Sequence, residues 1–526
     1  MRGLPLEDAL KPQGRLRLVY TLITLSVIGI LLSPDPRSFN RTAARDFQRL
    51  PISCPIQHSA LMPGISFSLR HEERVYVQRL QGAVQLRTET FDGAPQDGNN
   101  PWYDKFYEFE AYLLETFPDV FATLKLEHFA THALLLTWQG NDDSLPPIVL
   151  MAHQDTVPVP EETVERWTHP PFAGHIDTEG WVWGRGVADC KNTLIAELSA
   201  VSELIAAGFS PKRTVIVSFG FDEEGGGVHG ARAAAQHLEE KYGRDSIFAI
   251  VDEGGGVVED YFGRTWVLTA ATERAKKAVD GKGEKGSVNI KVSVNVPGGH
   301  SSIPPPHTAI GILSTLVAAI EMHPSPVKPS PANPFSTFAI CLAEYGIPFI
   351  DFPARRTIDD ELKNALAHER TWPAAAEILA GRSAGDAARL STTQAVDIGR
   401  DSRIQERYVK LLTPEAAKFN LSVVGFGSEP PAGVPRYLRL DTPGGAEASP
   451  VTPATGDAWR VFTGTSLHLW PEAIVAPYLS TGGTDTRSFV NLTHAIYRFR
   501  GMRDSHRENT HTVDESACGG SNFPGF

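Results

Sequence analysis

Glu223 and Glu224 close an apolar run and open a glycine cluster, Thr214-Val-Ile-Val-Ser-Phe-Gly-Phe-Asp-Glu-Glu-Gly-Gly-Gly227. Two carboxylates at one strand mouth repel each other unless a cation neutralises one of them. A metal ion is the usual cation, and it leaves the neighbour free to act as a base. Other residues of the same chemistry recur along the chain: His153-Gln-Asp155, Asp189, Asp252-Glu253 and, late, His511 in Thr510-His-Thr-Val-Asp-Glu515. Imidazole nitrogen plus several carboxylates is the ligand set of a zinc pair and needs no thiolate. Residues two apart at a strand end point the same way, so Asp155 can orient His153 while His153 ligates. Each group also has a plainer reading. The glutamates fit an exposed acidic turn, His153 and Asp155 a hydrogen-bonded pair, Asp189 a helix cap and Asp252 a turn residue.

The elements that carry these residues favour the metal. Pro147-Ile-Val-Leu-Met151, Thr214 to Phe221 and Ile247-Phe-Ala-Ile-Val251 read as buried strands, and Ala188 to Ala207 has helical spacing. Strand, helix and strand alternate from about 100 to 265, which predicts an α/β fold with a parallel sheet and helices on its faces. In such sheets ligands sit beyond the carboxyl ends of the strands, where these residues fall. A charged stretch, Arg274 to Gly286, then interrupts the pattern. An alternating strand over 288–296, a helix over 308–320 and a proline-rich segment follow. We divide the chain into a tail (1–17), an apolar segment (18–33), a catalytic domain in two parts (50–284 and 428–526) and a smaller inserted α+β domain (285–427).

The chain has 526 residues, too many for one ordinary domain, and a net charge of −13. That charge and the absence of a basic tract argue against a nucleic-acid partner. The four cysteines, Cys54, Cys190, Cys341 and Cys518, lack metal-type spacing, and one bridge among them is open but unassigned. Leu18 to Leu32 is almost wholly apolar and follows Lys11, Arg15 and Arg17. It reads as an uncleaved signal-anchor with its N-terminus in the cytosol; a cleaved signal peptide is the alternative. The rest of the chain then lies in a lumen or outside, compatible with sequons at Asn40, Asn420 and Asn491.

Leu150-Met-Ala-His-Gln-Asp-Thr-Val-Pro158, Trp183-Gly-Arg-Gly-Val-Ala-Asp-Cys-Lys191, Phe221-Asp-Glu-Glu-Gly225, Val251-Asp-Glu-Gly-Gly255 and Pro297-Gly-Gly-His-Ser-Ser302 resemble the zinc exopeptidases of the aminoacylase and glutamate-carboxypeptidase type. Thr392-Thr-Gln-Ala-Val-Asp397, Gly482-Gly-Thr-Asp-Thr-Arg487 and His511-Thr-Val-Asp-Glu515 look like the fungal carboxypeptidase S, or Gly-X carboxypeptidase, branch. The resemblance covers about 50 to 515. It implies two zinc ions per subunit bridged by Asp189. His153 and Asp252 (preferred over Glu253) complete one ligand set, and Glu224 and His511 the other. It further implies Glu223 as general base, Asp155 as the group orienting His153, and a cis peptide bond after Asp189. His300 would reach the reacting carbonyl oxygen, often from a partner subunit, and Arg487 would lie near the substrate carboxylate.

The chain departs from the pattern in three places. Cys190 stands where Asp or Met is usual, two strands of the inserted domain are missing after Asp397, and the residues after Glu515 do not form the usual closing helix. The expectation is a membrane-anchored di-zinc carboxypeptidase of a fungal vacuole acting on short peptides with penultimate glycine, as a monomer or homodimer. Secretion is the alternative location. The rival activities are hydrolysis or synthesis of N-acyl amino acids, and metal binding with impaired catalysis.

Overall fold

A computed structural model of the protein describes residues 54–61, 71–95, 97–261, 263–272, 287–298, 302–303, 305–324, 334–346, 377–381, 384–390, 402–446 and 451–518. The apolar segment at 18–33, His300, Asn40 and the residues around 398 lie outside them. Among the described residues no helix is long and apolar enough to cross a membrane.

In chain order the strands are β1 (Lys125–Phe129), β2 (Ala133–Trp138), β3 (Ile148–His153), β4 (His175–Ile176), β5 (Trp181–Trp183), β6 (Val215–Gly220), β7 (Ala249–Tyr261), β8 (Arg264–Thr272), β9 (Ser287–Asn295), β10 (Ser422–Val424), β11 (Tyr437–Ala446), β12 (Ile474–Tyr478), β13 (Ile496–Arg503), β14 (Arg507–Glu508) and β15 (Ser516–Cys518). Eight of them form one sheet in the order β1-β2-β6-β3-β7-β13-β8-β12. β3 lies parallel to β6 and to β7, and β7 parallel to β13, which gives the expected parallel centre. The sheet as a whole is mixed, because β2 runs antiparallel to β6, and β8 antiparallel to β7 and β13.

The central strands are buried at every position in β2, β3 and β6. Such continuous apolar runs mark strands covered on both faces. On one face lie α1 (Glu73–Gln85), α2 (Lys105–Thr116), α3 (Lys191–Ala206) and α8 (Gly456–Leu469). α4 (Gly230–Tyr242) covers the other face through Ala231, Ala234, Ala235 and Leu238.

A second sheet, β10-β11-β9, carries α5 (Ala309–Glu321) and α7 (Ser402–Ala417) around a core of Ile312, Leu316, Tyr408, Leu412 and Leu438. β11 pairs antiparallel with β9, so this unit extends to residue 446 and not only to 427. Part of the expected insert belongs elsewhere. α6 (Pro334–Tyr345) packs through Phe335, Phe338 and Leu342 against Trp266, Leu268 and Ala476 at the β8–β12 edge of the main sheet. The unassigned bridge is found here: Cys54 and Cys341 form a disulfide across a sequence separation of 287. Cys190 and Cys518 are buried and form no disulfide.

Candidate metal centre

The sheet order places β6, β3 and β7 side by side, so their carboxyl ends bring Glu223–Glu224, His153–Asp155 and Asp252–Glu253 to one rim. His153, the last residue of β3, is 1% exposed. Its Nε2 lies 3.1 Å from Asp189 Oδ1 and 3.5 Å from Glu253 Oε1. Its Nδ1 lies 3.2 Å from Asp155 Oδ1. The Asp155 carboxylate also accepts from the backbone N–H groups of Glu223 (3.2 Å) and Glu224 (2.9 Å) and from the Thr90 hydroxyl. It therefore ties the histidine to the glutamate turn. Burial works against the Asp155 anion, yet His153 and these donors hold its carboxyl below the usual range.

Asp189 precedes α3, and the Asp189–Cys190 peptide is cis. Its Oδ2 lies 3.2 Å from His511 Nε2, which in turn is 3.1 Å from Glu224 Oε1. The two oxygens of Asp189 thus face two histidines from opposite ends of the chain. His511 adopts φ +65°, within a turn closed by Thr512 N–H donating to the Asn509 carbonyl at 2.9 Å. The small sheet β4-β5-β15-β14 carries that turn to the site, with Ser516 opposite Trp183.

Electrostatics mark the cluster as short of positive charge. Burial pushes the Glu223 carboxyl well above its usual range, and Glu224 and Asp252 up to about 7. Burial would lower the His153 imidazole, but Cys190, Glu253, Asp155 and Asp189 drive it well above its ordinary value. The buried Glu224 Oε1 atom faces the His511 imidazole at 3.1 Å. Ligand atoms of His153, Asp189, Cys190 and Glu253 lie within 4.8 Å of one another, as do those of Asp189, Glu224 and His511, and of His153, Glu223 and Glu224. These converging nitrogen and carboxylate donors fit a resident divalent metal.

Two expected positions differ. Asp252, preferred as a ligand, is outside these groups, while Glu253 lies in the one around His153. Neighbouring residues of a strand face opposite ways. Asp252 turns to the Thr484 hydroxyl, which donates to its Oδ2 at 2.7 Å. Arg487 is committed to the other glutamate: its guanidinium donates to Glu223 Oε1 at 3.1 Å and to the Thr484 carbonyl at 2.8 Å. Cys190 is 1% exposed, and burial pushes its thiol well above the usual range.

Three functional supports carry no signal in local spacing. Glu515, fully buried, accepts on Oε1 from the N–H groups of Gly186 (3.1 Å), Ala188 (2.9 Å) and Asp189 (3.2 Å), and on Oε2 from Arg185. Its place at the end of the His511 motif was the one available clue. Thr90 comes from outside every motif. Asp485 is buried against Gly220 and Gly227, where an added Cβ would lie 2.1 Å from its carboxylate oxygens. Gly227, at φ +61°, also has a backbone that side chains rarely adopt.

The profile of peptidase family M20/M25/M40 matches residues 149–521. Carboxypeptidase S of Saccharomyces cerevisiae is 34% identical over 471 residues, covering 81% of this chain and 77% of the relative. The human N-fatty-acyl-amino acid synthase/hydrolase PM20D1 is 32% identical over 450 residues, covering 81% of each. Among solved structures, the di-peptidase Dug1p of Saccharomyces cerevisiae superposes with a TM-score of 0.51 at 14% identity, covering 85% of this chain and 93% of that one. At that identity the likeness concerns the fold alone.

Proposed function

This chain belongs to peptidase family M20/M25/M40, in its carboxypeptidase S-like branch, and from that premise we propose a di-zinc carboxypeptidase that removes C-terminal residues from short Gly-X peptides. The carrying observation is Asp189, whose two oxygens each face a different histidine. On this reading Asp189 would help to hold both ions, His153 and Glu253 would hold one, and Glu224 and His511 would hold the other. Zinc, when bound, supplies Lewis acidity and activates water for attack on the peptide carbonyl.

The chain's own residues supply the rest. Glu223 is the general base. Arg487 holds its Oε1 in place, which aims the remaining oxygen to take a proton from the attacking water and pass it to the leaving amine. Asp155 fixes the His153 ring and, through two backbone N–H groups, the turn that presents both glutamates. His300 we assign to the reacting carbonyl oxygen, with the second sheet as lid or dimerisation unit, in a monomer or a homodimer.

The Cys54–Cys341 disulfide favours an oxidising compartment, in keeping with a luminal catalytic domain behind an N-terminal anchor. We place that lumen in the vacuole, on the resemblance to the fungal branch; the disulfide fits a secreted protein equally. The likeness to the human acyl-amino acid enzyme favours a second reading, N-acyl amino acid hydrolysis at the same centre.

Purified protein assayed on a blocked Gly-Leu dipeptide, a blocked Ala-Leu dipeptide and an oleoyl amino acid separates these readings. The proposal expects two zincs per chain and fastest turnover of the Gly-Leu substrate. Preference for the oleoyl substrate selects the second reading, and two zincs without either activity refutes both.

A further inference from the structure

Every substrate under either reading carries a free carboxylate one residue beyond the scissile amide. A site that requires that group needs a cation that no protein anion holds. Arg487, the residue first expected there, is paired with Glu223.

Four arginines lie on β13 and the turn after it, and three have partners. Arg498 donates to the Glu253 carbonyl (3.0 Å) and the Gly482 carbonyl (2.6 Å). Arg503 pairs with Glu259 at 2.8 Å and Arg507 with Asp504 at 3.2 Å. Arg500 makes no side-chain hydrogen bond or ion pair among the described residues.

Its position is specific. β13 pairs with β7 with Arg498 opposite Asp252 and Phe499 opposite Gly255, and the register shifts between Phe499 and Arg503. Arg500 therefore follows directly beyond the level of the rim carboxylates, where both strands leave regular pairing. It is half-buried in a strand otherwise buried from Ile496 to Met502. The charges that act on it most are Arg507, Asp189, Asp504 and Glu253. Of these anions, Asp504 is taken by Arg507, and Asp189 and Glu253 belong to the metal cluster. Burial, and Arg507 beside it, lower the guanidinium to about 10, so it keeps its charge at neutral pH. A planar, permanently charged fork suits bidentate capture of a carboxylate.

We propose that Arg500 is the receptor for the C-terminal carboxylate of the substrate, and so the residue that makes this hydrolase an exopeptidase. The proposal rests on the carboxypeptidase reading for its substrate, and it holds for a peptidyl or a fatty-acyl group on the other side of the amide.

The test uses the zinc-loaded full chain, a blocked Gly-Leu analogue whose scissile amide is a reduced methylene-amine, and the same analogue ending in a carboxamide. Calorimetry measures the affinity of each. Wild type should favour the carboxylate by about 10- to 100-fold, the range of hydrogen bonds to a charged group. Arg500→Gln should lose that preference, and Arg500→Lys should keep part of it. Zinc content and melting temperature should stay at wild-type values. With the hydrolysable dipeptide, Arg500→Gln should raise KM far more than it lowers kcat. Arg500→Gln that keeps the wild-type preference overturns the proposal, as does a wild type that has none. If Arg500→Gln does not fold, an Arg500→Lys variant that discriminates fully despite its single-point charge counts against the bidentate fork. Carboxylate preference that depends on Arg500 without any hydrolysis of blocked Gly-Leu refutes the peptidase reading and leaves the receptor standing.

Discussion

Asp155 joins the first histidine and the glutamate turn into one unit, with its carboxylate wholly buried between them. Asp155→Ala removes the acceptor of two backbone N–H groups and of the Thr90 hydroxyl together. We expect zinc affinity to fall about 10- to 100-fold, read by competition with a chromogenic chelator. A second residue gives the molecule a pH response away from the metal. His506 is 2% exposed, and burial together with Arg503 lowers its imidazole to about 4. Because the folded value lies below the unfolded one, the unfolded chain binds the proton first. Stability is then full above about 6.5 and falls as pH drops towards 4, by on the order of 2–3 kcal/mol. Urea unfolding should show that loss in wild type and a flatter profile in His506→Gln. An equal slope in both would assign the acid sensitivity elsewhere. At this scale the sequence shows residue types well and directions poorly. Glu253 and Asp252 are adjacent carboxylates at one strand end, and only the strand's final twist decides which faces His153. Arg487 likewise reads as a substrate-carboxylate contact or as a structural ion pair, and only the loop's path sets it on Glu223.

Elements hold these residues through contacts far apart in sequence. Glu515 fastens the Asp189 loop by three backbone N–H groups, and strand β15, which begins at the next residue, anchors the His511 turn. Glu515→Gln keeps the shape and removes the charge, so it should weaken zinc binding about 10-fold or more through the second layer of contacts. α6 is held differently. It leaves the small unit between α5 and α7, packs on the β8–β12 edge, and is bridged to Cys54. Cys54→Ser with Cys341→Ser should lower stability by about 3–5 kcal/mol, the range for bridges that close long loops. Chemical unfolding measures this, and no change would mean that packing alone holds α6. The strands at 148–153 and 215–220 are legible in sequence because unbroken apolar runs have one solution, a strand covered on both faces. α6 is not legible as part of the main body. Its apolar face suits either unit, and the flanking prolines suggest a continuous insert. β11 is missed as part of the small sheet because its glycines and proline read as a linker.

The whole molecule is an α/β scaffold whose sheet order converts distant motifs into one rim. The motifs are separated by up to 358 positions, from His153 to His511, yet both histidines meet Asp189. Such closure is beyond local periodicity and follows from topology. Since the buried carboxylates outnumber the cationic side chains beside them, bound metals should stabilise the fold. Zinc removal by a chelator should lower the melting temperature, and zinc alone should restore it, rising with the logarithm of its excess over the dissociation constant. The central claim is a metallopeptidase in which Glu223 is the base and its neighbours hold the metal. Turnover of blocked Gly-Leu by Glu223→Gln, loaded to wild-type zinc content, tests it most directly. The account predicts a kcat lower by about 100- to 10,000-fold with both zincs retained. Full activity in that variant would contradict it.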